Sequence, residues 1–234
     1  MRVVGKEFIG ALKAARLFVS EDPARESLHA VHLERTGGTL RVVATDGHTL
    51  WCCEVYAKET VDDPPPANAR EWNVLPSDVD AILKAMPLRS LGSLEIELSL
   101  EKHTVDGVEY AAGGERFCPY RNVIPALASQ GEKVPEFSSA YFARACEALA
   151  LYGTGLAPIV PKKGSKHEIE AARGEREWYT EPSIAWRAGG EHDPVFVYSP
   201  KFPCAFALIM PRRAFGGGVG GFVNAVRLGT ARAA

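Results

Sequence analysis

A dipeptide of aspartate and glycine separates two apolar segments early in the chain and requires the backbone to reverse there. Asp46-Gly47 lies between a mainly apolar segment that ends at Ala44 and a second apolar run that begins near Leu50. Glycine accepts a positive φ angle and aspartate hydrogen-bonds to its own backbone, so the pair suits a tight turn. The sequence therefore predicts two antiparallel strands here, with Asp46 as a turn former rather than a catalytic acid.

The rest of the first 125 residues alternates between helical and strand periodicity. Apolar residues four and three positions apart, as at Phe8, Leu12 and Ala15, predict a helix over residues 6–20. Pro76 opens a second predicted helix, because proline is favoured in a first helical turn. Alternating polarity and turn residues predict strands over residues 28–33, 40–43, 51–56, 94–98 and 108–112, the last two joined at Asp106-Gly107.

A second unit follows a linker of small and polar residues at 126–136. Ser138 or Ser139 can cap a helix that runs to Leu151. Strand-like runs follow at residues 166–171, 177–179, 183–187, 195–198 and 204–210, in which Trp178, Tyr179 and Trp186 are interpreted as core side chains. Both units would place helices on one face of an antiparallel sheet. This predicts an α+β protein with domains at 1–126 and 134–213 and a glycine-rich tail at 214–234.

Composition limits the classes of function that the chain can have. The formal net charge is −2, so DNA binding would need a local basic face rather than overall positive charge. The cysteines are scattered without a CxxC pair, which favours reduced thiols in a cytoplasm over disulfides or structural zinc: Cys52, Cys53, Cys118, Cys146 and Cys204. No apolar run reaches about 18 residues, so no membrane span is predicted.

Sequence motifs of catalysis are missing as well. The chain has no HExxH, no nucleophile elbow and no phosphate loop. A hydrolase that uses His48 and Asp46 is the enzymatic alternative, and it would need a metal or substrate turnover. We therefore expect no enzyme activity, no metal and no cofactor.

Six segments, in order along the chain, resemble one known family. The run "LRVVATDGHTL" at residues 40–50 resembles the signature of the bacterial DNA polymerase III beta subunit, the DNA sliding clamp. Five other segments are similar to the same family: "ARESLHAVHLE" at 24–34, "NVLPSDVDAILKAM" at 73–86, "RFCPYRNVIP" at 116–125, "VPEFSSAYFARACEALALYG" at 134–153 and "FALIMPRR" at 206–213. They correspond to the second and third clamp domains, which implies a DNA-clamp fold with a shortened second unit.

The resemblance implies a non-enzymatic processivity factor that encircles duplex DNA and slides along it. Such a protein attracts phosphates without reading bases. Basic residues of the helices would then face the DNA, namely Lys6, Lys13, Arg16, Lys84 and Arg89. A solvated helix face is the alternative interpretation of these side chains. Family rings contain six similar domains, so a two-domain chain would close a ring as a homotrimer with head-to-tail contacts.

The resemblance also implies a hydrophobic pocket that holds a short peptide from a DNA polymerase or a clamp loader. Its walls map to Leu28, Thr45, Gly47, His48, Leu50, Val123, Leu208, Ile209, Met210 and Pro211. An ordinary set of strand ends in the core is the alternative for these residues. The alternative function is a ring-less module that binds clamp-type peptides or competes with a full clamp. The tail peptide at 222–228 either folds back into such a pocket or is a disordered end.

Overall fold

One antiparallel sheet runs through the computed structural model, which describes residues 1–58, 70–87, 94–99, 101–111, 113, 116–124, 137–158, 160, 163–188 and 193–211. Within these residues the sheet has eleven strands. They are β1 (Arg2–Val4), β2 (Val31–Thr36), β3 (Thr39–Thr45), β4 (Thr49–Lys58), β5 (Arg70–Val74), β6 (Glu95–Ser99), β7 (Thr104–Val105), β8 (Val108–Glu109), β9 (Ala185–Ala188), β10 (Val195–Tyr198) and β11 (Ala205–Ile209).

The described residues include four helices. They are α1 (Gly5–Arg16), α2 (Pro76–Ala85), α3 (Ser139–Leu156) and α4 (Lys166–Thr180), with short 3₁₀ turns at Glu26–Leu28 and Tyr120–Val123. None of these helices is both long and apolar enough to cross a membrane.

Strand β4 joins the two parts of the molecule because it pairs with different strands along its length. The main path of the sheet is β5-β2-β3-β4-β1-β6-β7-β8. The first half of β4 pairs with β11, with Leu50 opposite Leu208, and its last residues pair with β1. Strands β10 and β9 extend the sheet beyond β11. The last described strand, β11, is therefore hydrogen-bonded directly to an early one.

Alternation along β4 separates two hydrophobic clusters. Trp51, Cys53 and Val55 point to the helices and join the main core, whereas Leu50 and Cys52 point to the opposite face. The main core includes Phe8 of α1 together with residues of α3, β10 and β11. It thus crosses the sequence boundary placed at 126–134. In the described residues the two sequence units share one core, although the linker itself lies outside them.

Helix α1 is enclosed between the sheet and its neighbouring helices. Only Glu7, Lys13 and Arg16 of its twelve residues are partly exposed. The crossing with α3 is close because Gly10 and Gly155 face each other: a Cβ on Gly10 would lie 2.9 Å from the Gly155 Cα. Glycine allows this approach because it has no Cβ.

The second unit differs from its predicted strand content. Residues 166–171 and 177–179 were predicted as strands, but both belong to helix α4. A capping box starts this helix: the Ser165 hydroxyl accepts from the Glu168 N–H, and the Glu168 carboxylate accepts from the Ser165 N–H. These reciprocal bonds satisfy free donors of the first turn. The interpretation of Trp178 and Trp186 as core residues is also wrong, because they are 46% and 45% exposed.

Smaller differences concern where elements end. The first helix ends at Arg16 rather than at residue 20, and Leu28 lies in a 3₁₀ turn ahead of β2. Asp106 and Gly107 do form a turn with positive φ angles of 47° and 82°. That turn connects β7 to β8, and β7 in turn pairs with β6. The tail at 214–234 lies outside the described residues.

Candidate functional site

The turn between β3 and β4 is held together by one carboxylate. Asp46 Oδ1 accepts hydrogen bonds from the backbone N–H groups of His48 at 2.9 Å and Thr49 at 2.7 Å, and from the Thr49 hydroxyl at 3.0 Å. Gly47 has a φ angle of 86°, which glycine adopts without strain. The turn predicted from the sequence is confirmed, and the role of Asp46 in it is structural.

Helix α3 contacts this turn through an ion pair. The Nη1 atom of Arg144 lies 2.7 Å from Asp46 Oδ2, and its guanidinium stacks over the Tyr141 ring at 5.4 Å. Burial by itself raises the pKa of Asp46, but the N–H groups of His48 and Thr49 and the Arg144 guanidinium outweigh it and lower that pKa. Asp46 is therefore ionised at neutral pH and has no proton to donate in catalysis.

The pairing of β4 with β11 brings distant residues together beside the turn. Leu208 lies opposite Leu50, and the Met210 N–H donates to the His48 carbonyl at 2.8 Å. On the other side, a Cβ placed on Gly47 would lie 3.5 Å from Leu28 Cδ1. Leu28 and Met210, which are far apart in the sequence, thus both contact this one turn.

The base of this region is apolar and its edge is accessible. Leu50 and Leu208 are fully buried in the second cluster, which also contains Phe117, Tyr120 and Phe196. Several of the residues mapped from the sequence are partly or fully exposed: Leu28, Gly47, His48, Val123, Met210 and Pro211. Buried apolar walls with an accessible edge are the usual form of a small binding site.

Two of the mapped residues have other surroundings. Ile209 belongs to the core beneath the helices, on the opposite face from Leu208, because neighbouring residues of a strand point to opposite faces. Its side chain cannot line the same site. Thr45 is buried and uses its hydroxyl within the turn, donating to the Thr49 carbonyl at 2.6 Å.

A buried carboxylate anchors the segment that carries Val123. Glu34 is 1% exposed and accepts hydrogen bonds from the Tyr120 hydroxyl at 2.7 Å and from the Arg121 guanidinium. Arg41 lies 3.5 Å away. Burial by itself raises the pKa of Glu34, but Tyr120 and the two arginines lower it overall. Glu34 was not predicted from the sequence, because β2 also contains the polar residues His32, Arg35 and Thr36 and nothing local marks Glu34 as the buried one.

Glu34 also belongs to a group that resembles a metal site. His32, Glu34 and Glu71 each offer a ligand atom within 4.8 Å of the others, beside a cavity of about 200 Å³. The lone pairs of Glu34 already accept from Tyr120, Arg121 and Thr36. Two guanidiniums at this carboxylate oppose a cation. Glu34 instead holds Tyr120 and Arg121, which anchors the 3₁₀ turn that carries Val123.

The basic residues assigned to DNA differ in how far they reach solvent. Lys6 is 8% exposed and donates its Nζ to the Ala157 carbonyl; burial, and then Arg176, lower its pKa. Arg16 forms ion pairs with Glu21 at 2.9 Å and Asp80 at 3.1 Å. The solvent-facing basic stripe predicted for α1 is therefore wrong at Lys6, because α3 covers it, and its charge is compensated at Arg16.

The two remaining described lysines of this set are accessible. Lys13 is partly exposed on α1 and Lys84 is exposed on α2. Arg89 lies outside the described residues. Accessibility therefore divides the predicted set: Lys13 and Lys84 reach solvent, whereas Lys6 does not.

Comparisons with known proteins identify the fold. The chain resembles the solved DNA polymerase sliding clamp of Bacillus subtilis with a TM-score of 0.59 and 13% sequence identity, over 92% of this chain and 64% of that one. It also resembles the polymerase III beta protein of Caulobacter crescentus with a TM-score of 0.57 and 18% identity, over 92% of this chain and 65% of that one. A Pseudomonas aeruginosa clamp bound to griselimycin has a TM-score of 0.58 at 15% identity, over 91% and 65%. No protein-family model and no curated protein matches the sequence. The chain has the α+β sliding-clamp fold, as the sequence resemblance implied, and spans about two thirds of these clamps.

Proposed function

We propose that this protein binds a short apolar peptide of a replication partner at the site beside the Asp46 turn. The pairing of Leu50 with Leu208 supports this most directly, because it forms a buried apolar base next to accessible residues. The site is assembled from both sequence units, which gives it walls on two sides. A binding role also agrees with the structural use of Asp46, whose oxygens are all engaged.

The chemistry of the site indicates which peptide would fit. Its base is apolar, with Leu50 and Leu208 packed among aromatic residues, and Met210 at the edge has a flexible, polarisable side chain that adapts to different partners. An extended peptide places alternate side chains on one face, so two apolar residues separated by one position could enter together. Solved structures with this fold include DNA polymerase III beta subunits from Pseudomonas aeruginosa and Thermotoga maritima. We therefore propose DNA polymerases and clamp loaders as the source of the natural peptides.

Fluorescence anisotropy with a labelled hexapeptide, Gly-Leu-Ser-Leu-Phe-Gly, tests this function. Griselimycin, which the Pseudomonas aeruginosa clamp binds, serves as a second ligand in calorimetry. We expect saturable binding of the hexapeptide and at least about fivefold weaker binding in Leu28→Ser, since one apolar contact is worth roughly 1–3 kcal/mol. Leu94→Ser is the matched control, because Leu94 is 62% exposed and lies beside β6.

The results distinguish binding at a specific site from non-specific hydrophobic binding. Equal losses in Leu28→Ser and Leu94→Ser, or no saturable binding of either ligand by the wild type, contradict the proposal. Melting temperatures of both variants are recorded first, so that a folding defect is not mistaken for a lost contact.

Encirclement of DNA is the second candidate, and the sliding-clamp fold favours it. A ring of six clamp-like units would take three copies of a chain with two such units. Light scattering after size exclusion tests for this trimer, and retention on circular but not linearised DNA after loading tests for a closed ring. A strict monomer at high concentration, together with equal retention on both DNAs, would leave the ring-less peptide-binding protein as the function.

A further inference from the structure

We infer that Arg144 of α3 is a positioning residue for the proposed peptide site, holding the Gly47–His48 edge in place through Asp46. The inference rests on the proposed function and assigns a role to a residue that does not line the apolar base. It makes the site dependent on α3, which comes from the second sequence unit.

The two oxygens of Asp46 have separate tasks. Oδ1 closes the turn locally on His48 and Thr49, whereas Oδ2 accepts from Arg144 at 2.7 Å. The local bonds keep the shape of the turn, and its contacts with α3 include the Asp46–Arg144 pair, a 3.4 Å bond from Arg144 to the Thr49 hydroxyl and a ring contact of His48 with Tyr141. The bond to Arg144 is the side-chain link from this carboxylate to α3 among the described residues.

Helix α3 is a firm support for this link. The residue after Arg144, Ala145, is fully buried, as are Ala148 and Leu149 one turn further along. Arg144 itself is partly exposed, and stacking on Tyr141 orients its guanidinium. A charge-assisted hydrogen bond from a packed helix can therefore hold the turn at a fixed position relative to the core.

The position of this turn also sets the position of two walls of the proposed site. The His48 carbonyl accepts from the Met210 N–H, so a displaced turn also moves the end of β11. Gly47 lies against Leu28, so displacement opens that contact as well. Loss of Arg144 should thus weaken peptide binding without removing any atom that touches the apolar base.

The first experiment compares Arg144→Gln with Arg144→Lys and with the control Arg173→Gln, a residue on the exposed surface of α4. The readout is binding of the labelled hexapeptide Gly-Leu-Ser-Leu-Phe-Gly to the full chain. We expect about a fivefold or greater loss in Arg144→Gln, partial recovery in Arg144→Lys, which keeps the charge, and no change in Arg173→Gln.

A second readout needs no peptide and separates this inference from the proposed function. Charged and polar groups that face Asp46 are Arg144 from α3, Arg25, whose Nη1 lies 3.4 Å from the Asp46 carbonyl, and His48 and Thr49 of the turn. Removing Arg144 should raise the pKa of Asp46, measured by carbon-13 NMR, and speed amide exchange of His48 and Thr49 about tenfold.

Each result has a distinct meaning. If the wild type binds the hexapeptide and Arg144→Gln binds it equally well, the positioning role is refuted. Unchanged exchange at His48 and Thr49 in Arg144→Gln also overturns it. If the wild type does not bind the hexapeptide, the proposed function fails, while faster exchange in Arg144→Gln would still support the link between α3 and the turn.

Discussion

Gly10 of α1 and Gly155 of α3 face each other so closely that a Cβ on Gly10 would lie 2.9 Å from the Gly155 Cα and 3.3 Å from its nitrogen. Both neighbouring atoms are backbone, which cannot move aside as a flexible side chain can. This crossing brings the two sequence units into one core, so its integrity is central to the fold.

Replacing Gly10 with alanine should therefore lower stability. Overpacking costs about 1–3 kcal/mol, while the higher helix propensity of alanine returns up to about 1 kcal/mol. We expect Gly10→Ala to lower the free energy of unfolding by about 1–2 kcal/mol in urea. Gly174→Ala is the control, because nothing lies within 4 Å of a Cβ at that exposed α4 position. That variant should be neutral or slightly more stable, and equal destabilisation by both substitutions would contradict the close crossing.

The Glu34 carboxylate should contribute stability that depends on pH. Its pKa is lowered in the folded protein, so its contribution is complete above the unfolded value of about 4.3 and disappears as the pH falls through the lower folded value. We expect Glu34→Gln to cost about 1–3 kcal/mol at pH 7 and the difference from wild type to shrink below about pH 4. Urea titrations between pH 3 and 7 measure this.

The control for this experiment is Glu97→Gln, an exposed carboxylate on β6. Because it is solvated, its substitution should leave the unfolding free energy unchanged within about 0.5 kcal/mol at both ends of the pH range. A constant difference between wild type and Glu34→Gln from pH 3 to 7 would show that ionisation of Glu34 is not what anchors residues 116–123.

DNA binding by the helix face should depend only weakly on salt. Lys13 and Lys84 are the accessible described lysines of the predicted set, whereas Lys6 is buried and Arg16 is paired. Two phosphate contacts give a slope of about −2 in a plot of log K against log salt concentration. Anisotropy of a labelled duplex over a salt series measures this slope. A value steeper than about −5 per chain would show that other basic residues of the chain meet the DNA.

Helix α4 should depend on its capping box. Ser165→Ala removes the hydroxyl that accepts from the Glu168 N–H at 3.3 Å, and loss of such a cap costs about 1 kcal/mol. We expect faster amide exchange in the first turn of α4, with exchange in α1 unchanged. Ser183→Ala, an exposed position after the helix, should leave α4 exchange as in the wild type. Strand-like protection at 166–171 would contradict the helix.

The elements that sequence reasoning identified correctly are those with local causes. The Asp46-Gly47 turn follows from the chemistry of two adjacent residues, and the helices at 5–16 and 76–85 follow from apolar periodicity. Helix α4 was missed because its charged residues offer no apolar stripe, so short alternations were read as strands. The capping signal at Ser165 and Glu168 was available in the sequence.

The sequence by itself determined the turn, the two strands that it joins and the order of segments that resembles a sliding clamp. Only the tertiary structure decided which residues meet: Leu208 opposite Leu50, Arg144 at Asp46, and Lys6 beneath α3 rather than in solvent. Local signals arise from backbone preferences and residue spacing, which neighbouring residues suffice to reveal. Burial, charge compensation and contacts between distant strands depend on how the helices and sheet pack, and no short stretch of sequence contains that information.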